Sequence, residues 1–289
     1  MMKRLACLIV LVCTLTSGAQ AACDDPKPLR LAVIPKKSQE MLAREYRPLL
    51  QALEKSLGRR VELVHSNSYT TSIEGLVERS IDVAELGPAA YAIAKKRDPA
   101  ITPFATLSQS PGHFSDAPNS YRALLVTRAG QGLDKLENLR SKTLNLIDPA
   151  STSGALIPRQ AIAALTGSSL EGYFQRISYA GSHDRAIQAV QRGIVDAAFV
   201  SSRRMDEAMR TGTLKPDELK VVWRSEPIAY DPFVYRSNLC SPLVERIRRT
   251  FFSETPALQA MFKDMKANGF TPVADDNYQA IHALYDSMQ

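Results

Sequence analysis

Short apolar runs of β type alternate with runs of helical spacing along almost the whole chain, and this rhythm constrains the fold most. Residues 29–34 read as a strand. Residues 41–57 follow with Leu42, Tyr46, Leu49, Leu50 and Leu53 at helical spacing, closed by Gly58. A strand at 61–64, a helix at 71–79, a strand at 81–86 and a helix at 88–95 continue the pattern. Strands separated by helices in this way pair in parallel, which makes an α/β sheet. Two more strands are expected at 101–107 and 121–126.

Between those two strands, Ser110-Pro111-Gly112 and residues 116–120 are rich in turn formers. They mark a crossing into a second lobe, where the rhythm restarts. Strands are expected at 143–147, 176–179, 194–200 and 219–223, with helices at 152–165, 184–191 and 203–211. Ser225-Glu226-Pro227 marks the return crossing. A strand at 233–236 and helices beginning at Pro242, Pro256 and Asn277 finish the chain. The expected organisation is therefore 22–115 plus 226–289 as lobe 1 and 116–225 as lobe 2. Ile81-Asp82-Val83-Ala84 echoes Ile194-Val195-Asp196-Ala197-Ala198: each follows a helix and runs into a loop. Either the lobes are built alike or this is ordinary α/β grammar. A pair of lobes joined by two crossings is hinged, and its cleft is the natural ligand site.

Residues 1–21 read as a signal peptide. Lys3 and Arg4 precede an apolar run at 5–15, then the small-residue stretch Ser17-Gly18-Ala19-Gln20-Ala21, with cleavage expected after Ala21. The run is shorter than the ~18 apolar residues of a membrane span. Cys23 raises a lipoprotein alternative, but Gln20 stands where a lipobox has an apolar residue. The expected location is the periplasm. Cys7 and Cys13 leave with the signal. Cys23 and Cys240 remain in an oxidising compartment and are expected to pair; two unpaired thiols are the alternative. The full chain carries a net charge of +6, of which the leader supplies two basic residues and no acidic one, leaving +4. That mild charge, with no Lys/Arg block, favours anions and argues against nucleic acid. No C-x-x-C, H-E-x-x-H or His/Cys cluster is present, so no metal or cofactor is expected.

The most informative stretch is Asp148-Pro149-Ala150-Ser151-Thr152-Ser153-Gly154, after a strand and at the start of a helix. The first amides of a helix lack internal partners, and the helix dipole is positive there. Three hydroxyl residues add donors, and Gly154 admits close approach to the backbone. Together they form an anion cradle that needs no Lys or Arg. It lies beyond the carboxyl end of a strand, where open α/β sheets bind ligands. Ordinary helix capping needs one such hydroxyl. Ser68-Tyr69-Thr70-Thr71-Ser72 repeats the chemistry in lobe 1, and there capping and binding explain it equally well.

These motifs resemble the phosphonate- and phosphite-binding proteins of ABC importers, which have the type II periplasmic-binding fold: α/β, two lobes, two chain crossings. The likeness runs from Leu29 to about Gly269. Besides Asp148 to Gly154 with Pro158, it rests on Tyr179-Ala180-Gly181-Ser182-His183-Asp184, Tyr230-Asp231-Pro232 and Leu86-Gly87-Pro88-Ala89-Ala90-Tyr91. The resemblance implies that Ser151, Thr152 and Ser153 hold phosphonate oxygens, with Tyr69, Tyr91, His183 and Asp231 as further ligand residues. Thr70 and Thr71 complete the lobe 1 candidate. His183 would donate to an oxygen and change charge near neutral pH; alternatively it is structural. Asp231 would accept from a protonated ligand oxygen, or else fix an Asp-Pro turn. Members that bind aminoalkylphosphonates carry a carboxylate where this chain has Arg203, beside Arg204. A guanidinium repels an amine and accepts a second anionic group; two solvated arginines are the alternative.

The expected function is capture of a phosphorus oxyanion by a monomer that delivers it to a membrane permease. A receptor presenting its closed form to a membrane sensor is the second reading. Catalysis by Ser153, His183 and Asp231 is disfavoured, since no G-x-S-x-G elbow is present.

Overall fold

The computed structural model describes residues 23–115 and 118–288, so the signal-peptide reading of residues 1–21 lies outside the described residues. The elements of the described residues start with β1 (Leu29–Val33), α1 (Gln39–Leu57), β2 (Val61–His65), α2 (Tyr69–Val77), β3 (Val83–Glu85), α3 (Pro88–Arg97) and β4 (Thr102–Gln109). The short strand β5 (Ser120–Tyr121) leads to β6 (Ala123–Arg128) and β7 (Thr143–Leu146). A π-helical turn (Thr152–Leu156) runs straight into α4 (Ile157–Thr166), followed by α5 (Leu170–Tyr173), β8 (Arg176–Tyr179) and α6 (His183–Gln191). Then come β9 (Ala197–Ser201), α7 (Ser202–Arg210) and β10 (Leu219–Arg224). The second short strand β11 (Ile228–Ala229) returns the chain to β12 (Pro232–Tyr235), α8 (Ser241–Phe251), α9 (Pro256–Met265), β13 (Ala267–Pro272) and α10 (Gln279–Asp286).

Two mixed sheets result, one per lobe. The first has the order β13-β4-β12-β3-β1-β2 and the second β10-β6-β9-β7-β8. In the first, β1 is parallel to β2 and β3, and β12 enters antiparallel beside β3. The second repeats this: β7 is parallel to β8 and β9, and β6 enters antiparallel beside β9. In both sheets the strand that crosses from the other lobe runs antiparallel to its neighbours; in the first sheet the edge strand β13 does so too. β5 and β11 pair antiparallel where the two connections run side by side.

The echo around Asp82 and Asp196 has a physical basis. Asp82 accepts the amide of Arg30 at 2.8 Å, and Asp196 accepts the amide of Thr143 at 2.8 Å. Each carboxylate precedes a central strand and bonds the start of its parallel neighbour, β1 or β7. The lobes therefore share a construction device as well as a strand order. The expected strand at 194–200 begins later for this reason: Asp196 is committed to Thr143, and Ile194 is 63% exposed. β13 breaks the sequence expectation altogether. Ala-Asn-Gly-Phe-Thr-Pro has a strand-poor composition, which an edge position beside β4 tolerates.

Cys23 and Cys240 form a disulfide, closing a loop of 217 residues. It fastens the segment around Asp24, which bridges to Leu239, onto the start of α8. Replacing both cysteines by serine should cost about 2–5 kcal/mol, since the crosslink restricts the unfolded chain. Denaturant titration of native and variant protein measures it; equal midpoints would show that the crosslink adds no stability.

Candidate functional site

The carboxyl ends of the parallel strands of both sheets face one cleft, as expected for open α/β sheets. From lobe 1 it is lined by Ile34 and Lys36 after β1, Tyr69 opening α2, and Glu85 and Gly87 after β3. From lobe 2 come Ser151, Thr152 and Ser153 after β7, His183 opening α6, and Ser201, Arg203 and Arg204 where β9 becomes α7. Tyr121, Tyr230 and Asp231 enter from the crossings. The cleft holds about 720 Å³ of space, its solvent-filled mouth included.

The hydroxyl run forms a buried cradle. Ser151, Thr152 and Ser153 are each 2% exposed. Ser151 caps the π-helical turn by accepting the Gly154 amide at 3.2 Å. The turn's first amides, those of Thr152 and Ser153, have no earlier carbonyl to bond. A π-turn widens the backbone, and such turns are frequent at functional sites. Gly154 serves packing rather than ligand approach. A Cβ there would come within 2.2 Å of Ile147 Cγ1, and its amide is already taken by Ser151.

Phenols stand beside these hydroxyls. Burial pushes the Tyr69 hydroxyl well above its ordinary value, with Asp231 and Asp148 adding to the effect and the neighbouring Ser151 opposing it. Tyr121 is pushed up likewise by burial and Asp231, against the adjoining Thr152 and Ser153 hydroxyls. Both phenols therefore stay neutral donors. The Tyr121 ring stacks on that of Tyr230, with centroids 5.8 Å apart.

His183 differs from expectation. The Ser201 amide donates to its Nδ1 at 3.2 Å, so the neutral ring carries its proton on Nε2. Burial lowers its pKa to about 3, helped by Arg204 and Lys36. It is a donor that does not change charge near neutrality, and the arrangement is no catalytic triad, because Nδ1 bonds an amide instead of Asp231. Asp231 moves the other way: burial raises its carboxyl to about 7, Glu85 contributing and Lys36 and Arg204 opposing. Its main-chain carbonyl accepts from Thr106 at 2.9 Å.

Four cations and three carboxylates line the cleft, a slight positive excess. Most of these charges are paired. Lys36 bonds Glu85 at 2.6 Å, and Arg204 bonds Asp184 at 2.7 Å as well as Glu207. Direct contacts also join the lobes across the cleft. Asp148 accepts the Tyr69 amide at 3.2 Å, Thr152 Oγ1 accepts the Ala89 amide at 2.8 Å, and Lys37 bridges Glu45 and Glu207 at 2.5 Å. Asp148 and Thr152 thereby satisfy amides in the first turns of α2 and α3, helix ends otherwise without partners.

Of the residues singled out in the sequence, Tyr69, Ser151, Thr152, Ser153, His183, Arg203 and Asp231 meet in this cleft. Thr70, Thr71 and Tyr91 do not. Thr70 and Thr71 are exposed; the Thr71 amide and hydroxyl bond Ser68, which is plain helix capping. Tyr91 lies on the far face of α3, where its hydroxyl bonds Asp275 and its ring packs on Tyr278 and His282. Tyr121 and Lys36 were not singled out: Tyr121 stands at the start of an expected strand, where periodicity assigns it to the core, and Lys36 lies in the loop after β1 with no motif around it. Tyr230 lies inside a motif whose aspartate alone drew notice.

The chain matches, over residues 31–278, the family model described as ABC transporter, phosphonate, periplasmic substrate-binding protein. It is 30% identical to the phosphate-import protein PhnD of Mycolicibacterium smegmatis, covering 90% of this chain and 86% of that protein. It is 29% identical to the phosphonates-binding periplasmic protein of Escherichia coli, covering 96% and 81%. The binding protein component of an ABC phosphonate transporter from Pseudomonas aeruginosa superposes with a TM-score of 0.80 at 26% identity, over 90% of this chain and 86% of that one. Among the described residues no helix is long and apolar enough to cross a membrane. A two-lobed cleft with a buried hydroxyl cradle, and a family match over most of the chain, lead to one conclusion: the chain belongs to the phosphonate substrate-binding proteins of ABC transporters, periplasmic binding proteins and not enzymes.

Proposed function

We propose that this protein, exported by cleavage of its N-terminal segment, captures a phosphorus oxyanion in the interlobe cleft. It then delivers the anion as a monomer to the membrane permease of an ABC importer. The observation that carries this reading is the buried Ser151-Thr152-Ser153 cradle, whose hydroxyls lie beside the neutral phenols of Tyr69 and Tyr121. Fixed neutral donors stabilise an anion without the desolvation cost of a buried cation. Relatives named for phosphate import and phosphonate binding support phosphorus over other elements. The test is a thermal-shift panel of phosphate, phosphite, methylphosphonate, 2-aminoethylphosphonate and sulfate. A ligand present at 100 times its Kd should stabilise by about 2.7 kcal/mol. A response to sulfate alone, or to none of the five, would refute the phosphorus assignment.

Asp231 gives the binding a pH signature. With a carboxyl pKa of about 7, it holds a proton that a bound anion can share. Once carboxyl and anion are both ionised they repel, so affinity should fall about tenfold per pH unit above that point, one proton being required. Asp231→Asn should flatten the profile; an unchanged slope would exclude Asp231 as its source. The empty protein should show a matching trend. A carboxyl raised on folding contributes stability below its unfolded value, and that contribution is lost as pH rises to about 7.

A further inference from the structure

We propose that the cleft contains a second anion subsite, formed by Arg203 and Tyr230, for a carboxylate or phosphoryl group carried on the same ligand as the oxyanion head. The proposal rests on the oxyanion reading above and specifies the ligand class within it.

Of the four cations in the cleft, Lys36, Lys37 and Arg204 are each held by a carboxylate at 2.7 Å or less. Arg203 is not. Among the described residues, its one hydrogen bond runs from Nη1 to the Ser110 carbonyl at 3.1 Å, and no carboxylate lies within ion-pairing distance. Its Nε is buried with no acceptor among the described residues, and so is the Tyr230 hydroxyl. The guanidinium lies 6.0 Å from the Tyr230 ring centroid, so the two unpartnered donors belong to one corner. Asp206 and Glu207 stand nearby without a bond to Arg203; Asp206 accepts the Phe114 amide at 2.7 Å through Oδ1, while its Oδ2 is buried without a partner among the described residues, and Glu207 holds Lys37 and Arg204. Buried donors without acceptors are costly and uncommon in folded proteins, and a missing partner is a standard explanation.

The ring stack sets the distance between the subsites. Tyr121 has the Thr152 and Ser153 hydroxyls beside its own and the Tyr230 ring against its face. A head group in the cradle and an anion at Tyr230 are thus separated by about one ring stack, which suits a short linker. Burial works against the charge on Arg203, and an anion beside it would offset that penalty. A guanidinium also suits carboxylate and phosphoryl oxygens through paired hydrogen bonds, and it repels an amine at the same point.

Isothermal titration tests this with matched ligands: 2-carboxyethylphosphonate, propylphosphonate, 2-aminoethylphosphonate and methylenediphosphonate. The carboxylate should bind at least about tenfold tighter than propylphosphonate, as a charge-assisted bond warrants, and the amine should bind weakest. Comparing carboxylate with diphosphonate separates the two sources of the second anion. In Arg203→Met the carboxylate-to-propyl ratio should collapse towards unity. Tyr230→Phe, which keeps the ring stack, should lower the same ratio and serves if Arg203→Met fails to fold. Propylphosphonate binding as tightly as both 2-carboxyethylphosphonate and methylenediphosphonate, or a ratio unchanged in the variants, would overturn the subsite and leave the oxyanion reading intact. If no phosphorus compound bound at all, both would fall.

Discussion

Removing the Ser151 and Ser153 hydroxyls together should weaken oxyanion binding by about two to four orders of magnitude, at about 1.5–3 kcal/mol for each hydrogen bond to a charged group. The expectation follows from burial. Both side chains are 2% exposed, so water cannot readily replace the lost donors once the anion is bound. Thr152 is better left in place, because its hydroxyl accepts the Ala89 amide across the cleft and its loss would also disturb closure. The stability cost should be small by comparison. Ser151 caps the π-helical turn through Gly154, and a lost N-cap costs about 1 kcal/mol. Calorimetric affinity and a melting curve on the Ser151→Ala, Ser153→Ala protein separate the two effects. A large fall in melting temperature with an unchanged Kd would assign the hydroxyls to folding alone.

Gly154→Val should be the most damaging single change near the site. The first added carbon would meet Ile147 Cγ1 at 2.2 Å and Ile147 Cβ at 2.6 Å, far inside van der Waals contact. Ile147 is fully buried just after β7 and cannot move freely, so the π-turn must shift. Overpacking of this kind costs about 1–3 kcal/mol, and the bulk beyond Cβ adds to it. A shifted turn also misplaces the Thr152 and Ser153 amides, so affinity should fall with stability. Gly154→Ala should show the same signs at smaller size. Native-like stability in the valine variant would contradict the packing argument.

The two losses have different origins, which shows what the sequence could and could not reveal. Three hydroxyls and a glycine after a strand exceed what a helix cap requires, so the cradle was legible from residue types alone. Gly154 was legible only as a close approach. Whether a ligand or Ile147 makes that approach depends on the turn's path. The lobes were legible because both crossings are marked by turn formers. Their strand order was not, since an antiparallel insertion such as β12 or β6 carries the same apolar signature as a parallel strand. Thr71 and Ser151 illustrate the limit for single residues. Both stand in hydroxyl runs at helix starts; one bonds Ser68 at the exposed surface, and the other is buried against Tyr69. Only the meeting of the lobes distinguishes them. His183 lines the cleft, but its protonation depends on burial and on the Ser201 amide, which local sequence does not encode.

The interlobe bonds bear on mechanism. Asp148 to Tyr69, Thr152 to Ala89 and Lys37 to Glu207 all join the lobes. An anion in the cradle would add bonds to both walls and so favour the same closed arrangement, by differential affinity for the two states. In the proposed function, that closed arrangement is the form a permease would recognise.

Isothermal titration of methylphosphonate, phosphite, phosphate and sulfate into the native protein and into the Ser151→Ala, Ser153→Ala variant tests the central claim most directly. The account predicts one site per chain, at least one phosphorus anion bound more tightly than sulfate, and a loss of at least about a hundredfold in the variant. A phosphorus anion bound equally well by both proteins would place the site elsewhere and contradict the account.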